Sequence, residues 1–439
     1  MSFPYLLKNF QRISTRILLT CVAIIPTFLA SGQELTLNQC YEAAQNLTPL
    51  AQQNLYYQSI ATLQRKNAAS LYRPQIAING QFTYQSDVFS LPFENPGVQS
   101  PEIPKDQYRL ALGINQTIFD GGSTKRTLNI VESEAEANQQ EVAVALYQIR
   151  GVINELFFGA LVSQENTAIM EAQKAILEQQ LLEVESSVKN GALLASNADI
   201  VRKGILSVEQ NLISFRMDKV ALLEMLEAWI GEKITENTTL KIPELTSPDN
   251  FPATINRPEL RLFELRSQQL QAQSEMASIR NYPKISAFVD GGIANPNPFN
   301  FYKTDLSGYY LAGVRLRWNL FDWNQNKNDI RRLDIQRDII TSNRDDFERR
   351  VGIEIIRDNS EIRKIESLLE KDIEILALQE RITKETYAQL QNGIITSTNY
   401  ITELNNETAA KLAVTIRELS LVRTKIELLT KSGNYENQN

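Results

Sequence analysis

After Pro74 apolar and polar residues alternate strictly, with Ile76, Ile78, Gly80, Phe82 and Tyr84 on one side and Gln75, Asn79, Gln81, Thr83 and Gln85 on the other. A period of two predicts a β-strand with one apolar and one polar face. A second run predicts its partner: Tyr108, Leu110, Leu112, Ile114 and Ile118 against Gln107, Arg109, Asn115 and Thr117. The pattern returns less cleanly as Ile285, Ala287, Val289 and Ile293, then as Tyr310, Ala312, Val314, Leu316, Trp318 and Leu320 against Arg315, Arg317 and Asn319.

Elsewhere the period is helical. From about Ser123 to Asn190, and again from about Asn324 to Gln391, there is no proline. Apolar residues there recur three or four apart, as in Leu146, Ile149, Ile153, Leu156 and Leu161, and in Ile362, Ile365, Leu368, Ile373 and Leu376. At ~1.5 Å per residue each stretch makes a helix roughly 100 Å long. Shorter helices are predicted to return from Ser196 to Ile230 and from Thr398 to Thr430. Such length without one wide apolar stripe points to coiled-coil packing of several helices side by side.

These elements form one plan used twice. Asn46-Leu47-Thr48-Pro49 and Asn256-Arg257-Pro258-Glu259 each open a helical segment, and a second proline follows 25 residues later in both halves, at Pro74 and Pro283. Phe119-Asp120-Gly121-Gly122 and Phe321-Asp322-Trp323-Asn324 mark the next joint, and 71 residues after each Asp stands a glycine, Gly191 or Gly393. Even Gly231 and Gly433 keep the offset of 202 residues. The expected organisation is a leader over 1–32, a first repeat over 33–241, a proline-rich linker over 242–256, a second repeat over 257–431 and a polar, fraying tail over 432–439.

The leader has Lys8, Arg12 and Arg16, an apolar run from Ile17 to Ala30 and a small-residue exit at Ala30-Ser31-Gly32. It reads as a secretory signal cleaved near Gly32, too short and too interrupted by Pro26 to be a spanning anchor. Without it Cys40 is the lone thiol, expected to be a buried small apolar residue. Export changes the meaning of the strands. Four strands of about ten residues with a wholly polar second face suit a membrane barrel, yet four cannot close one and open edges are not tolerated in lipid. The chain is therefore expected to pool its strands with copies of itself.

Composition narrows the chemistry further. The 439 residues include no histidine, which removes Ser-His and Cys-His nucleophiles and His-ligated zinc. The formal charge of -7 leaves no footprint for nucleic acid. Adjacent acids such as Asp345-Asp346 lie among Arg344, Arg349 and Arg350 and read as a solvated helix face rather than a carboxylate-based hydrolase.

Taken together, the Leu35-Thr36-Leu37 helix start, the Asn256-Arg257-Pro258-Glu259-Leu260 repeat start, the post-proline strands, the Phe119-Asp120-Gly121-Gly122 joint and the Asn-Gly turns resemble the TolC-type outer-membrane efflux channels across nearly the whole mature chain. The resemblance implies a mostly α protein with β. In it a homotrimer builds a helical tunnel in the periplasm and a shared twelve-stranded barrel in the outer membrane of a Gram-negative-type cell. It implies a passive exit duct for small molecules or polypeptides, with an inner-membrane transporter engaged indirectly through a periplasmic adaptor. Neither a cofactor nor a metal nor a catalytic residue belongs to that picture.

By the same resemblance the adaptor-contacting tips are the two hairpin turns. Their residues are Asn190, Gly191, Leu193, Leu194, Ser196 and Asn197, with Asn392, Gly393, Ile394, Ile395, Thr398 and Asn399 in the second half. The glycines allow a tight reversal, and Leu193, Leu194, Ile394 and Ile395 are expected to stand out as apolar knobs. Family members often place an Asp six residues after the tip glycine. Here Asn197 and Asn399 occupy those positions; Asp199, Glu403 and Glu407 in the following turns could substitute, and Asp199 is taken as the gate candidate. The competing reading is a periplasmic coiled-coil adaptor or scaffold, which would have one hairpin flanked by Gly-rich β domains rather than two hairpins each preceded by a strand pair.

Overall fold

A computed structural model describes residues 34–89, 102–236, 238–244, 254–300 and 302–435. The expected leader, most of the linker and the middle of the first strand-connecting loop lie outside the described residues. The elements in order are β1 (Glu34–Leu35), α1 (Leu37–Leu47), α2 (Pro49–Ser70), β2 (Gln75–Tyr84), β3 (Asp106–Phe119), α3 (Ser123–Lys189), α4 (Ala195–Ile230), β4 (Thr239–Leu240), α5 (Pro258–Ser278), β5 (Lys284–Asn295), β6 (Ser307–Arg317), α6 (Gln325–Gln391) and α7 (Ser397–Ser432). The series α2-β2-β3-α3-α4 thus recurs as α5-β5-β6-α6-α7. Both long helices have 67 residues, about 100 Å, and both return helices have 36.

A return helix covers little more than half of its long neighbour, and a short helix from the start of a repeat extends it. Proline at the first turn opens α2 and α5, where its missing N–H costs nothing. Helix α7 ends at Gly433, and the Asn256 N–H, two residues before α5, donates to the Ser432 carbonyl at 2.7 Å. At the equivalent joint Gly231, which caps α4, lies against the Leu47 side chain just before α2. The conserved spacing of these glycines within the chain therefore marks two end-to-end helix junctions, α4 with α2 and α7 with α5.

Around the first junction sits the largest core. Leu37, Cys40, Tyr41 and Ala44 of α1 pack with Ile149, Ile153, Leu156, Phe157 and Phe158 of α3, Leu223 and Leu226 of α4, and Ile426 of α7. Thr36 caps α1 with a reciprocal Thr36–Gln39 capping box, and the two-residue strands β1 and β4 pair in parallel beside it. Cys40 is fully buried there, and burial, helped by nearby Glu232, pushes its thiol up to about 12, so it packs as a small apolar side chain. The chain past Ser432, expected to fray, is held as far as Tyr435. That ring meets Tyr41 edge-on at 5.5 Å and its hydroxyl donates to Asn38 at 2.8 Å.

The four long strands form one antiparallel sheet in the order β2-β3-β5-β6. The register Ile78↔Leu112, Ile114↔Val289 and Ala287↔Val314 puts the apolar positions on one face and Asn79, Arg109, Asn115, Ser286 and Arg315 on the other. A bulge between Thr117 and Phe119 sets Phe119 opposite Ile285, so Phe119 joins the apolar side beside Ile118. The alternation continues to Leu320, but the ladder stops at Arg317 because Pro283 ends its partner at Lys284.

Among the described residues nothing covers this sheet: no helix packs across either face, and β2 and β6 leave both edges open. On the apolar face Ile78 is 73% and Tyr310 81% exposed. The helices are also open: Ile362 and Ile365 of α6 are buried, whereas Leu368 and Ile373 of the same expected stripe are not. The chain exposes 29915 Å² for a mass of 49.8 kDa, against about 17,000 Å² for a compact globule of that mass.

Each sheet-to-helix joint is built by an aspartate. Asp120 accepts from the Gly122 and Thr124 N–H groups, at 2.8 and 2.6 Å, and from the Tyr72 hydroxyl at 2.8 Å. Burial raises its pKa, but the hydrogen bonds from Thr124, Tyr72 and Gly122 outweigh that and hold the carboxyl at about 2. Asp322 takes the Asn326 N–H and the Asn281 amide in the second half. Two left-handed residues follow each Asp, Gly121-Gly122 and Trp323-Asn324. Trp323 holds that conformation with an exposed ring stacked edge-on to Phe321 at 4.8 Å.

Candidate functional site

The two hairpin turns lie at the far end of the long helices from the sheet. Five residues join α3 to α4, Asn190 to Leu194, and five join α6 to α7, Asn392 to Thr396. Both long helices end in the same closure. The Gly191 N–H donates to the Val188 carbonyl at 2.9 Å and the Ala192 N–H to Ser187 at 2.9 Å. The Gly393 N–H donates to Leu390 at 3.0 Å and the Ile394 N–H to Gln389 at 3.0 Å. These paired bonds define a Schellman cap, which needs a left-handed residue after the C-cap, and the glycines adopt φ of +76° and +70°. A Cβ at either would meet nothing within 4 Å, so the requirement is conformational alone. Asn190 and Asn392 are the C-cap residues.

The apolar residues of the turns divide. Leu194 is 74% and Ile394 70% exposed, while Leu193 is 37% exposed. Ile395, expected to stand out, instead packs half-buried against the core beneath the tips. Register within the hairpin does not decide this, since Leu193 holds the matching position and is exposed; Ile395 is covered by the core that the two hairpins build together. Ser196 and Thr398 are exposed, and Asn197 and Asn399 turn back on the helix starts. The Asn197 N–H donates to the Leu194 carbonyl at 3.0 Å, and Thr396 caps α7 by accepting from the Asn399 N–H.

Asp199 lies one turn up α4, with its carboxylate 2.9 Å from Arg202, which also reaches Glu185 on α3 at 2.7 Å. Sequence reading passed over a second polar contact near the turns. The Tyr387 hydroxyl of α6 donates to Glu183 of α3 at 3.2 Å, and its ring lies 5.3 Å from that of Tyr400. Burial, then the Glu183 charge, raises the Tyr387 pKa, keeping the hydroxyl a donor at neutral pH. Val184 of α3, Val201 of α4 and Tyr400, Ile401 and Leu404 of α7 form a buried core there, against which Tyr387 and Leu390 of α6 pack. The pairing of residues 204 apart has no local sequence signal; only the close approach of the two hairpins creates it.

Among the described residues no group of three or more metal-ligating side chains converges, and no helix is long and apolar enough to cross a membrane.

No protein-family model matches the sequence, and no curated protein matches it. Solved structures do. The outer membrane protein VceC of Vibrio cholerae is 14% identical with a TM-score of 0.64, the match covering 91% of this chain and 97% of that one. The CmeC outer membrane channel of Campylobacter jejuni is 14% identical with a TM-score of 0.64, covering 91% of this chain and 87% of its own. The open state of the Neisseria gonorrhoeae MtrE outer membrane channel is 12% identical with a TM-score of 0.64, covering 90% and 88%. This chain has their fold, from the sheet through the helices to the turns.

Proposed function

We propose that this chain is the outer-membrane channel of a tripartite efflux or secretion system, a passive duct through which an inner-membrane transporter expels its cargo. The observation that carries the reading is the uncovered sheet at the end of 100 Å helices. A four-stranded sheet that exposes an apolar face and both edges presents a surface for lipid or for further strands. Its apolar face suits outer-membrane lipid, its polar face an aqueous lumen, and its open edges pairing with further copies. Three copies close twelve strands and cover the apolar helix faces that one chain leaves open. The solved channels that share the fold support the same reading, whereas a periplasmic adaptor or scaffold leaves the strand pairs without a use. The duct itself needs neither a catalytic group nor a cofactor.

The first test is the mass of the protein extracted from membranes, measured by light scattering with the detergent contribution subtracted. A trimer is expected. A monomer that stays in solution without detergent would defeat the channel reading and favour the scaffold.

In this duct the turns dock the periplasmic adaptor, and Asp199 helps hold the tunnel mouth shut through Arg202 and Glu185. Asp199→Ala should then raise the mean single-channel conductance in planar bilayers; conductance identical to wild type would strike Asp199 from the gate. The ion pair is exposed, worth about 0–1 kcal/mol, so the expected increase is modest.

A further inference from the structure

The polar face of the sheet is not evenly polar. By register it carries Arg109 on β3, Lys284 and Asp290 on β5, and Arg315 and Arg317 on β6. The residues of β2 on this face are Gln75, Ala77, Asn79, Gln81 and Thr83, with no charge at all. Joining further copies at the open edges therefore brings one acid, Asp290, for every four cations on this face. Among the described residues none of the four makes an ion pair, and Arg315 instead lies 4.7 Å from the centre of the Phe288 ring on the same face.

Three of the cations share one level. Lys284 pairs with Arg317 at the tunnel end of the ladder, and Arg315 follows about 7 Å above, two residues at the strand rise. With Asn115, Thr117 and Asp120 they line a hollow of about 270 Å³ that opens where the sheet meets α3. Asp290 stands six residues above Lys284 and four above the level of Arg315, about 20 and 13 Å, each more than one Debye length (~8 Å) at physiological salt, so it screens these cations only weakly. Two carboxylates are nearer, Asp120 in the lining of the same hollow and Asp322 at the matching joint of the second half. Each is held by backbone N–H groups at the start of a long helix, whose positive end offsets its charge.

We infer that Lys284, Arg315 and Arg317 form a cationic collar at the base of the barrel, nine side chains in a trimer, which makes the exit anion-selective and binds multivalent anions passing through it. The inference rests on the channel reading. Fixed charge of one sign along a narrow aqueous passage raises the local concentration of the opposite ion and sets selectivity. The cargo favoured by such a collar is acidic: organic carboxylates, sulfates, phosphates and anionic amphiphiles.

The test is the zero-current potential of the purified protein in planar bilayers across a tenfold potassium chloride gradient. Wild type should favour chloride over potassium by about 3-fold or more, and Lys284→Gln with Arg315→Gln and Arg317→Gln should bring the ratio to about 1 or below. Citrate added on the side of the strand-connecting loops should reduce wild-type conductance and leave the triple variant's unchanged, which separates the barrel from any charge in the tunnel. If the triple variant does not insert, Arg315→Gln alone should shift the ratio in the same direction. A potassium-selective wild type, or a potential and citrate response unmoved by the substitutions, would overturn the collar. Failure of the extracted protein to form trimers or to conduct at all would overturn the channel reading instead, and the collar with it.

Discussion

Aspartate placed at both Leu194 and Ile394 is expected to abolish cargo export while the trimer stays at wild-type level in the membrane fraction. The two side chains are the exposed apolar knobs of the turns, and burying one against a partner is worth about 1.5–3 kcal/mol. A carboxylate forced into the same contact costs more than the lost burial, so with two knobs per chain the adaptor should bind at least about 100-fold more weakly. The turns themselves should survive. Leu194 is the N-cap of α4, where Asp is among the favoured residues, and Ile394 already points into solvent. Ile395→Asp is the contrasting variant: it places a charge against the core beneath the tips and should lower the amount of trimer itself. Dye export from cells, with the trimer quantified alongside, distinguishes the two. Wild-type export by the Leu194→Asp, Ile394→Asp protein would mean that the adaptor docks elsewhere.

Gly433→Ala should be the most destabilising small substitution in the helical part, at roughly 3 kcal/mol. Its φ of +80° costs an L-residue about 1–2 kcal/mol. A Cβ there would also overlap the backbone of Asn256 and Arg257, which cannot swing aside as a side chain does, adding about 1–3 kcal/mol of overpacking. Gly191→Ala supplies the control, since it has a similar φ of +76° with open space around it and should cost only about 1 kcal/mol. Denaturant unfolding followed by the helical circular dichroism signal gives both values. Equal losses would show that the α7–α5 joint yields easily and does not lock the two segments end to end.

Much of this molecule is legible in local pattern. A period of two after Pro74 and Pro283 specifies strands, 67 residues without proline specify a long helix, and an Asn-Gly pair followed by an apolar residue specifies the cap that ends it. Each depends on contacts within a few residues, so spacing alone carries it, and duplication of the spacing reveals two matching halves. The exposure of individual tip residues was less legible. Leu194 and Ile394 stand out while Ile395 packs inward, because their directions depend on how two hairpins lean together.

The order β2-β3-β5-β6, the end-to-end joining of α7 with α5, the Tyr387–Glu183 contact and the convergence of Lys284, Arg315 and Arg317 on one level belong to the tertiary structure. All of them bring together residues distant in the chain, and no periodicity encodes which strand edge or helix end will meet which. The sequence by itself determined the elements, their lengths and their repetition, since backbone sterics and side-chain period act locally. Only the assembled fold decided which faces were left bare, because exposure is a property of what packs against a residue and not of the residue's neighbours along the chain.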